Sequence, residues 1–191
     1  MVQSTLQLQP WSLRHSLPSQ IHAVADFKKL EVAKLYAVPM DYSEYPRTDA
    51  IALTGATQLK WISQLVHFKA TRYMLHIDGK HKLHHGKWML VSIGTHDIAL
   101  REGKGRGGIV HSYRPLVYMF VKQQETAESV KFLCDALNWL AETYFGEKLQ
   151  PGCVAMDHSD GFRKGVLSVW PDTGSIPMLR IRYILIHVDT S

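Results

Sequence analysis

The chain has 191 residues, 46% of them hydrophobic and 20% charged, which is enough length for a sizeable core and sets aside disordered and fibrous classes. Lys and Arg number 22 against 17 Asp and Glu, with an isoelectric point of about 9.2, so an anionic partner is attracted at neutral pH. A basic balance of this size is also common in globular proteins that never meet a polynucleotide.

In chain order, Ser19 follows Pro18 as a helix N-cap, and residues 19–38 place Ile21, Val24, Phe27, Ala33 and Leu35 among charged residues, a loosely amphipathic helix. Pro39, Pro46 and residues 41–49 read as a loop, and Leu59, Ile62, Leu65 and Val66 predict a second helix ending near Phe68. Residues 1–70 thus read as a helical lead-in to a core over residues 71–191. Residues 72–78, 88–95 and 115–121 are three β-rich runs. Gly79 to Lys87 separate the first two, and a Gly-rich basic stretch over residues 101–108 precedes the third. Such short connections predict an antiparallel meander. Residues 126–145 form the clearest helix, with Val130, Leu133, Cys134, Leu137, Leu140, Ala141 and Tyr144 on one face and Gly146 as its stop. After Gln150-Pro151-Gly152, residues 153–156 read as a short buried strand and residues 160–169 as a helix halted by Pro171. Residues 178–188 alternate as a fifth strand. Three strands, helix, strand, helix is the order of a ribonuclease-H-like mixed α/β sheet, in which the first and fourth strands lie side by side.

Cys134 and Cys153 are the only cysteines and share no paired spacing, which fits a reduced compartment. The first eleven residues show no charged leader ahead of a long apolar run, and no 18 consecutive residues are apolar, so a soluble, intracellular protein without a membrane partner is expected.

Two acids stand where these strands end. Asp78 closes Tyr73-Met74-Leu75-His76-Ile77 ahead of Gly79, and Asp157 closes Cys153-Val154-Ala155-Met156. Phosphodiester chemistry needs an activated oxygen nucleophile and neutralisation of the leaving oxygen, which two divalent cations about 4 Å apart supply together. Hard oxygen ligands suit that task, and Asp carboxylates bind Mg²⁺ while leaving positions for water and phosphate. Both acids also have plain structural readings. Asp before Gly is a common turn pair, and Asp160 rivals Asp157 as the second acid or as the cap of the following helix.

His76, His81, His84 and His85 surround Asp78 and could favour a transition metal, but no Cys accompanies them and a solvated hairpin beside Lys80, Lys82 and Lys87 explains most of them. Arg101, Lys104 and Arg106 lie among Gly103, Gly105, Gly107 and Gly108, a stretch suited to phosphate contact without base reading, or to a solvated connection. Its glycines and lysine do not make a phosphate-binding loop of the Gly-Lys-Ser/Thr kind. Trp61, Trp88, Trp139 and Trp170 sit in apolar patterns and read as core rather than stacking platforms.

The wording of several segments is more specific than their periodicity. His76-Ile77-Asp78-Gly79-Lys80, Leu90 to His96, Arg114 to Tyr118, Gln124 to Ser129, Val154 to Gly161 and Val169-Trp170-Pro171, in this order, resemble the MULE (Mutator-like element) transposase domain over roughly residues 60–173. The resemblance implies a ribonuclease-H-like core in which an Asp, Asp, Glu set holds Mg²⁺ or Mn²⁺ for cut-and-paste transposition, with transposon-end DNA as partner, self-association and a nuclear location. It assigns Asp78 and Asp157 as catalytic metal ligands and leaves Lys80, Lys82, Arg101, Lys104 and Arg106 as nucleic-acid contacts. Asp157 rather than Asp160 takes the second place because its distance to Trp170-Pro171 matches the family spacing.

The chain departs from the family after that pair. No Cys follows, His187 is the only later His, and neither Asp172 nor Asp189 matches the third acid. The zinc-binding DNA-recognition module often found N-terminal in the family is also missing from the sequence. The expectation is therefore a core incomplete at its C-terminus and inactive by itself. The alternatives are a non-catalytic nucleic-acid-binding protein built on the same core, and an unrelated small α/β protein whose two acids are structural.

Overall fold

The structure is a computed structural model that describes residues 34–67, 73–80, 88–101, 108–122, 126–156 and 159–177. Among the described residues, seven strands form one mixed sheet: β1 (Leu35–Ala37), β2 (Ala50–Gly55), β3 (Met74–Lys80), β4 (Trp88–Arg101), β5 (Gly108–Lys122), β6 (Cys153–Met156) and β7 (Gly174–Pro177). The helices described beside them are α1 (Ala56–His67), α2 (Ala127–Phe145) and α3 (Asp160–Val169), with a 3₁₀ turn over Tyr42–Glu44.

The sheet order is β1-β2-β5-β4-β3-β6-β7. Pairing is antiparallel from β1 through to β3 and parallel from β3 to β6 and from β6 to β7. The expected meander of β3, β4 and β5 is present, and the first and fourth of the predicted strands, β3 and β6, are neighbours.

Period-two alternation decides which face is buried. Leu75 and Ile77 of β3, Met89, Val91 and Ile93 of β4, Val117, Met119 and Val121 of β5, and Ala50 and Ala52 of β2 all enter one core. Phe132, Leu133, Leu137 and Leu140 of α2, Leu59 and Ile62 of α1, and Phe162 and Val166 of α3 enter it from the helical layer. The opposite face carries Met74, His76, Asp78, Leu90, Ser92, Tyr118 and Phe120, all half-buried.

α2 has the termini its sequence announces. Thr126 accepts a hydrogen bond from the Ser129 amide at 3.1 Å while Ser129 Oγ accepts from the Thr126 amide at 2.8 Å, satisfying two of the amides that a helix start leaves open. At the other end Gly146 takes φ 77°, a left-handed conformation that costs glycine little, and donates to the Glu142 carbonyl. α3 spans its predicted residues, but Ser159 holds its cap position and Asp160 is the exposed first helical residue, so Asp160 is not the cap.

The lead-in differs from expectation. Residues 35–37, assigned by pattern to the end of a helix, form β1, antiparallel to β2. β2 itself has no counterpart among the predicted elements, and it pairs with β5 through Ala50↔Val121 to Leu53↔Tyr118. The described part of the lead-in is therefore not a helical unit, because its two strands extend the sheet of the core. Strand content here is set by cross-strand partners far along the chain rather than by local preference. The helix expected near residues 59–68 is α1, while residues 19–33 and the predicted strand over residues 178–188 lie outside the described residues. Among the described residues, no helix is long and apolar enough to cross a membrane.

Candidate functional site

Asp78 lies within β3, opposite Ser92 of β4, on the face away from the helices. Alternation puts it beside His76 and sends Ile77 into the core, so the acid is half-buried rather than sequestered. Asp78 is thus a strand residue rather than a turn residue, since β3 runs on through Gly79 to Lys80.

Near it sits a group of which sequence reasoning named only His76. Tyr113 of β5 crosses over Gly94, and its hydroxyl lies 3.0 Å from Ser92 Oγ and 3.5 Å from the His76 carbonyl. The rings of His76, His96 and Tyr113 form a triangle with centroids 5.0, 5.6 and 5.5 Å apart. Burial raises the Tyr113 phenol well above its ordinary range, and the negative charge of Asp78 adds to that shift. The one signal for this group in the sequence is register: Ser92, Gly94 and His96 alternate on one face of β4, and Tyr113 is the cross-strand partner of His96.

On the other face at the same level, the Arg114 guanidinium stacks on Trp61 of α1, 4.1 Å from the ring centroid, and bonds Asp97 at 2.8 Å. Trp61 packs against the core, as its apolar pattern indicates, and its ring also carries a cation of its own chain. Trp170 is core and Trp139 packs against it, as the apolar pattern indicates.

Asp157, Lys82, Lys104, Arg106, His81, His84 and His85 lie outside the described residues. Lys80 ends β3 opposite Leu90, whereas Arg101 ends β4 eleven residues farther along (101 − 90 = 11). At about 3.4 Å per residue the two backbone positions stand about 37 Å apart along the sheet. By the same measure Arg101 stands nine residues from Ser92, the partner of Asp78, or about 30 Å.

Among the described residues no three His, Cys, Asp or Glu side chains stand together to hold a metal ion. Asp78 offers one carboxylate, suited to Mg²⁺ or Mn²⁺ by its hard oxygens, and a site would need further ligands beyond it. A metal held there would supply charge neutralisation at a phosphate oxygen.

The ionisable groups buried in this fold make one prediction. Burial pushes the Cys134 thiol far above its ordinary 9.0, the Tyr45 and Tyr113 phenols far above 10.0, and the Tyr73 phenol up to about 12. Each keeps its proton in the folded state at pH values where the unfolded chain has lost it. Stability from these groups is thus complete below about pH 9 and is lost as pH rises beyond it. The urea midpoint is expected to fall steadily from pH 9 to 11, and to fall less in Cys134→Ala; a midpoint that holds level or rises over that range would contradict the burial of these groups.

No protein-family model, curated protein or solved structure matches the chain.

Proposed function

We propose that this chain is a ribonuclease-H-like domain of the MULE transposase type, which engages DNA and offers part of a two-metal phosphodiester site. One observation carries the reading: β3 and β6 are parallel neighbours with a constant offset, Met74↔Cys153, Leu75↔Val154 and His76↔Ala155. That offset is 79 residues (153 − 74 = 79), equal to the separation of Asp78 and Asp157 in the sequence (157 − 78 = 79). A strand pair in this register is what two acids sharing a metal require. The order β5-β4-β3-β6-β7 supports the same reading, because it sets the first strand centrally, between its antiparallel hairpin partner and a parallel fourth strand.

Metal chemistry of this type is cooperative among its ligands, so Asp78 and Asp157 by themselves are expected to bind the ion weakly and to turn over orders of magnitude more slowly than a three-acid set. DNA binding depends on phosphate neutralisation instead and survives without the third acid. The roles proposed for Lys80, Lys82, Arg101, Lys104 and Arg106 are phosphate contacts.

The test uses the purified chain with supercoiled plasmid in Mg²⁺ or Mn²⁺, together with duplex binding across a salt series. Expected are salt-dependent DNA binding that persists in Asp78→Ala, Mn²⁺ binding lost in Asp78→Ala and in Asp157→Ala, and little or no nicking. Robust nicking abolished by Asp78→Ala would overturn the claim of inactivity. A chain that binds neither DNA nor Mn²⁺ would overturn the function.

A further inference from the structure

Asp78 and Ser92 stand directly opposite each other on β3 and β4, both half-buried on the sheet face away from the helices. Residues opposed in this way carry their Cβ atoms about 5 Å apart. Among the described residues the Asp78 carboxylate makes no hydrogen bond and no ion pair. Its charge is felt at the Tyr113 phenol, so the carboxylate shares one stretch of that face with the Ser92 and Tyr113 hydroxyls.

Counting donors fixes the protons of this group. Tyr113 has one hydroxyl proton and two oxygens within reach, Ser92 Oγ at 3.0 Å and the His76 carbonyl at 3.5 Å. The carbonyl can only accept, so an arrangement that uses both contacts sends the Tyr113 proton to His76 and has Ser92 donate to Tyr113. Ser92 then keeps only lone pairs for the side that faces Asp78. Lone pairs beside a carboxylate repel it, and a cation between the two turns that repulsion into ligation. Tyr113 is fixed in this place by its close passage over Gly94, where a Cβ would lie 2.8 Å from two carbons of the ring.

We propose that the Ser92 hydroxyl is a ligand, alongside Asp78, of the divalent ion assigned to that acid, with Tyr113 as the positioning residue that turns the Ser92 proton away from the ion. This rests on the metal reading above and deepens it, since it names a second protein oxygen that comes from the meander. The donor set suits the ion. A carboxylate and an alcohol oxygen are the hard ligands that Mg²⁺ and Mn²⁺ take, and such ions fill the rest of their shell with water and substrate phosphate. A hydroxyl adds no charge, so it joins the carboxylate without the repulsion that a further acid at this position would bring. Tyr113 acts one step behind it, as the partner that orients a ligand and is felt in affinity without touching the metal.

The test is binding of the metal alone to the full chain, Mn²⁺ by the electron paramagnetic resonance of the free ion and Cd²⁺ by calorimetry. S92A and Y113F should each weaken Mn²⁺ binding about tenfold or more, the lower end of what such partners cost, while S92T keeps the hydroxyl and stays close to wild type. S92C should lose Mn²⁺ affinity and gain about tenfold or more for Cd²⁺, because a thiolate is the softer ligand, and D78A/S92C should lack that gain. This exchange is the deciding arm, since a misfolded variant does not acquire a Cd²⁺ preference that depends on Asp78. Wild-type Mn²⁺ affinity in S92A, or no Asp78-dependent Cd²⁺ gain in S92C, overturns Ser92 as a ligand. Wild-type Mn²⁺ affinity in Y113F overturns the positioning role of Tyr113. A wild-type chain that binds no Mn²⁺, or binds it equally in D78A, instead overturns the metal reading beneath the inference.

Discussion

Phe132→Ala is expected to lower the unfolding free energy by about 3 to 5 kcal/mol, the range for removing a large buried aromatic side chain. Phe132 is 0% exposed on α2, and its ring meets Tyr42 at 5.6 Å and Tyr45 edge-on at 5.1 Å. The loss therefore includes the transfer of the ring, the cavity left behind and the contacts that bind the segment before β2 onto the helix. Tyr45 is held there by a second link, its hydroxyl donating to Asp135 at 2.6 Å, so the segment will not simply collapse into the void. With total stability of order 5 to 15 kcal/mol for a domain, this single change removes a large part of it. Urea denaturation at constant slope is the measurement. A loss under about 1 kcal/mol would mean that residues 42–45 do not pack on α2 as described.

Gly94→Ala is expected to cost about 3 kcal/mol, at the upper end of overpacking. A methyl group at Gly94 would sit 2.4 Å from the Arg114 carbonyl oxygen and 2.8 Å from two carbons of the Tyr113 ring. The carbonyl is backbone in an antiparallel ladder and can yield only by disturbing the adjacent Thr95↔Arg114 pair, while the ring can yield only by leaving Ser92. Both routes disturb the β4–β5 pairing and the surroundings of Asp78. Near-ultraviolet circular dichroism should change along with the urea midpoint as Tyr113 moves. A variant of wild-type stability and spectrum would show that β5 does not approach β4 this closely.

Much of the fold was legible because several elements carry their own boundaries. α2 combines an amphipathic face, a Thr126 cap and a Gly146 stop, and all three signals act within one turn or two of the helix. The strands β3, β4 and β6 were legible as apolar runs, and their neighbourhood followed from the order of elements. β1 and β2 were not legible, since their partners lie as far off as β5 and nothing local distinguishes Leu35–Ala37 from the end of a helix. The length of β5 was hidden by Pro115, which reads as a strand boundary; in the sheet it stands at a bulge, where the ladder tolerates a missing donor.

By itself the sequence determined the α/β character, the meander, the long capped helix and the position of Asp78 at the end of an apolar run. These depend on period, caps and turn residues, which are local. Tertiary structure decided that Asp78 stands in mid-strand beside a ring of His76, His96 and Tyr113, and that β3 and β6 run parallel at an offset of 79 residues (153 − 74 = 79). It also decided that the backbone positions of Lys80 and Arg101 are far apart along the sheet. Those facts depend on register between strands distant in the chain, and register is settled by which faces can be buried together.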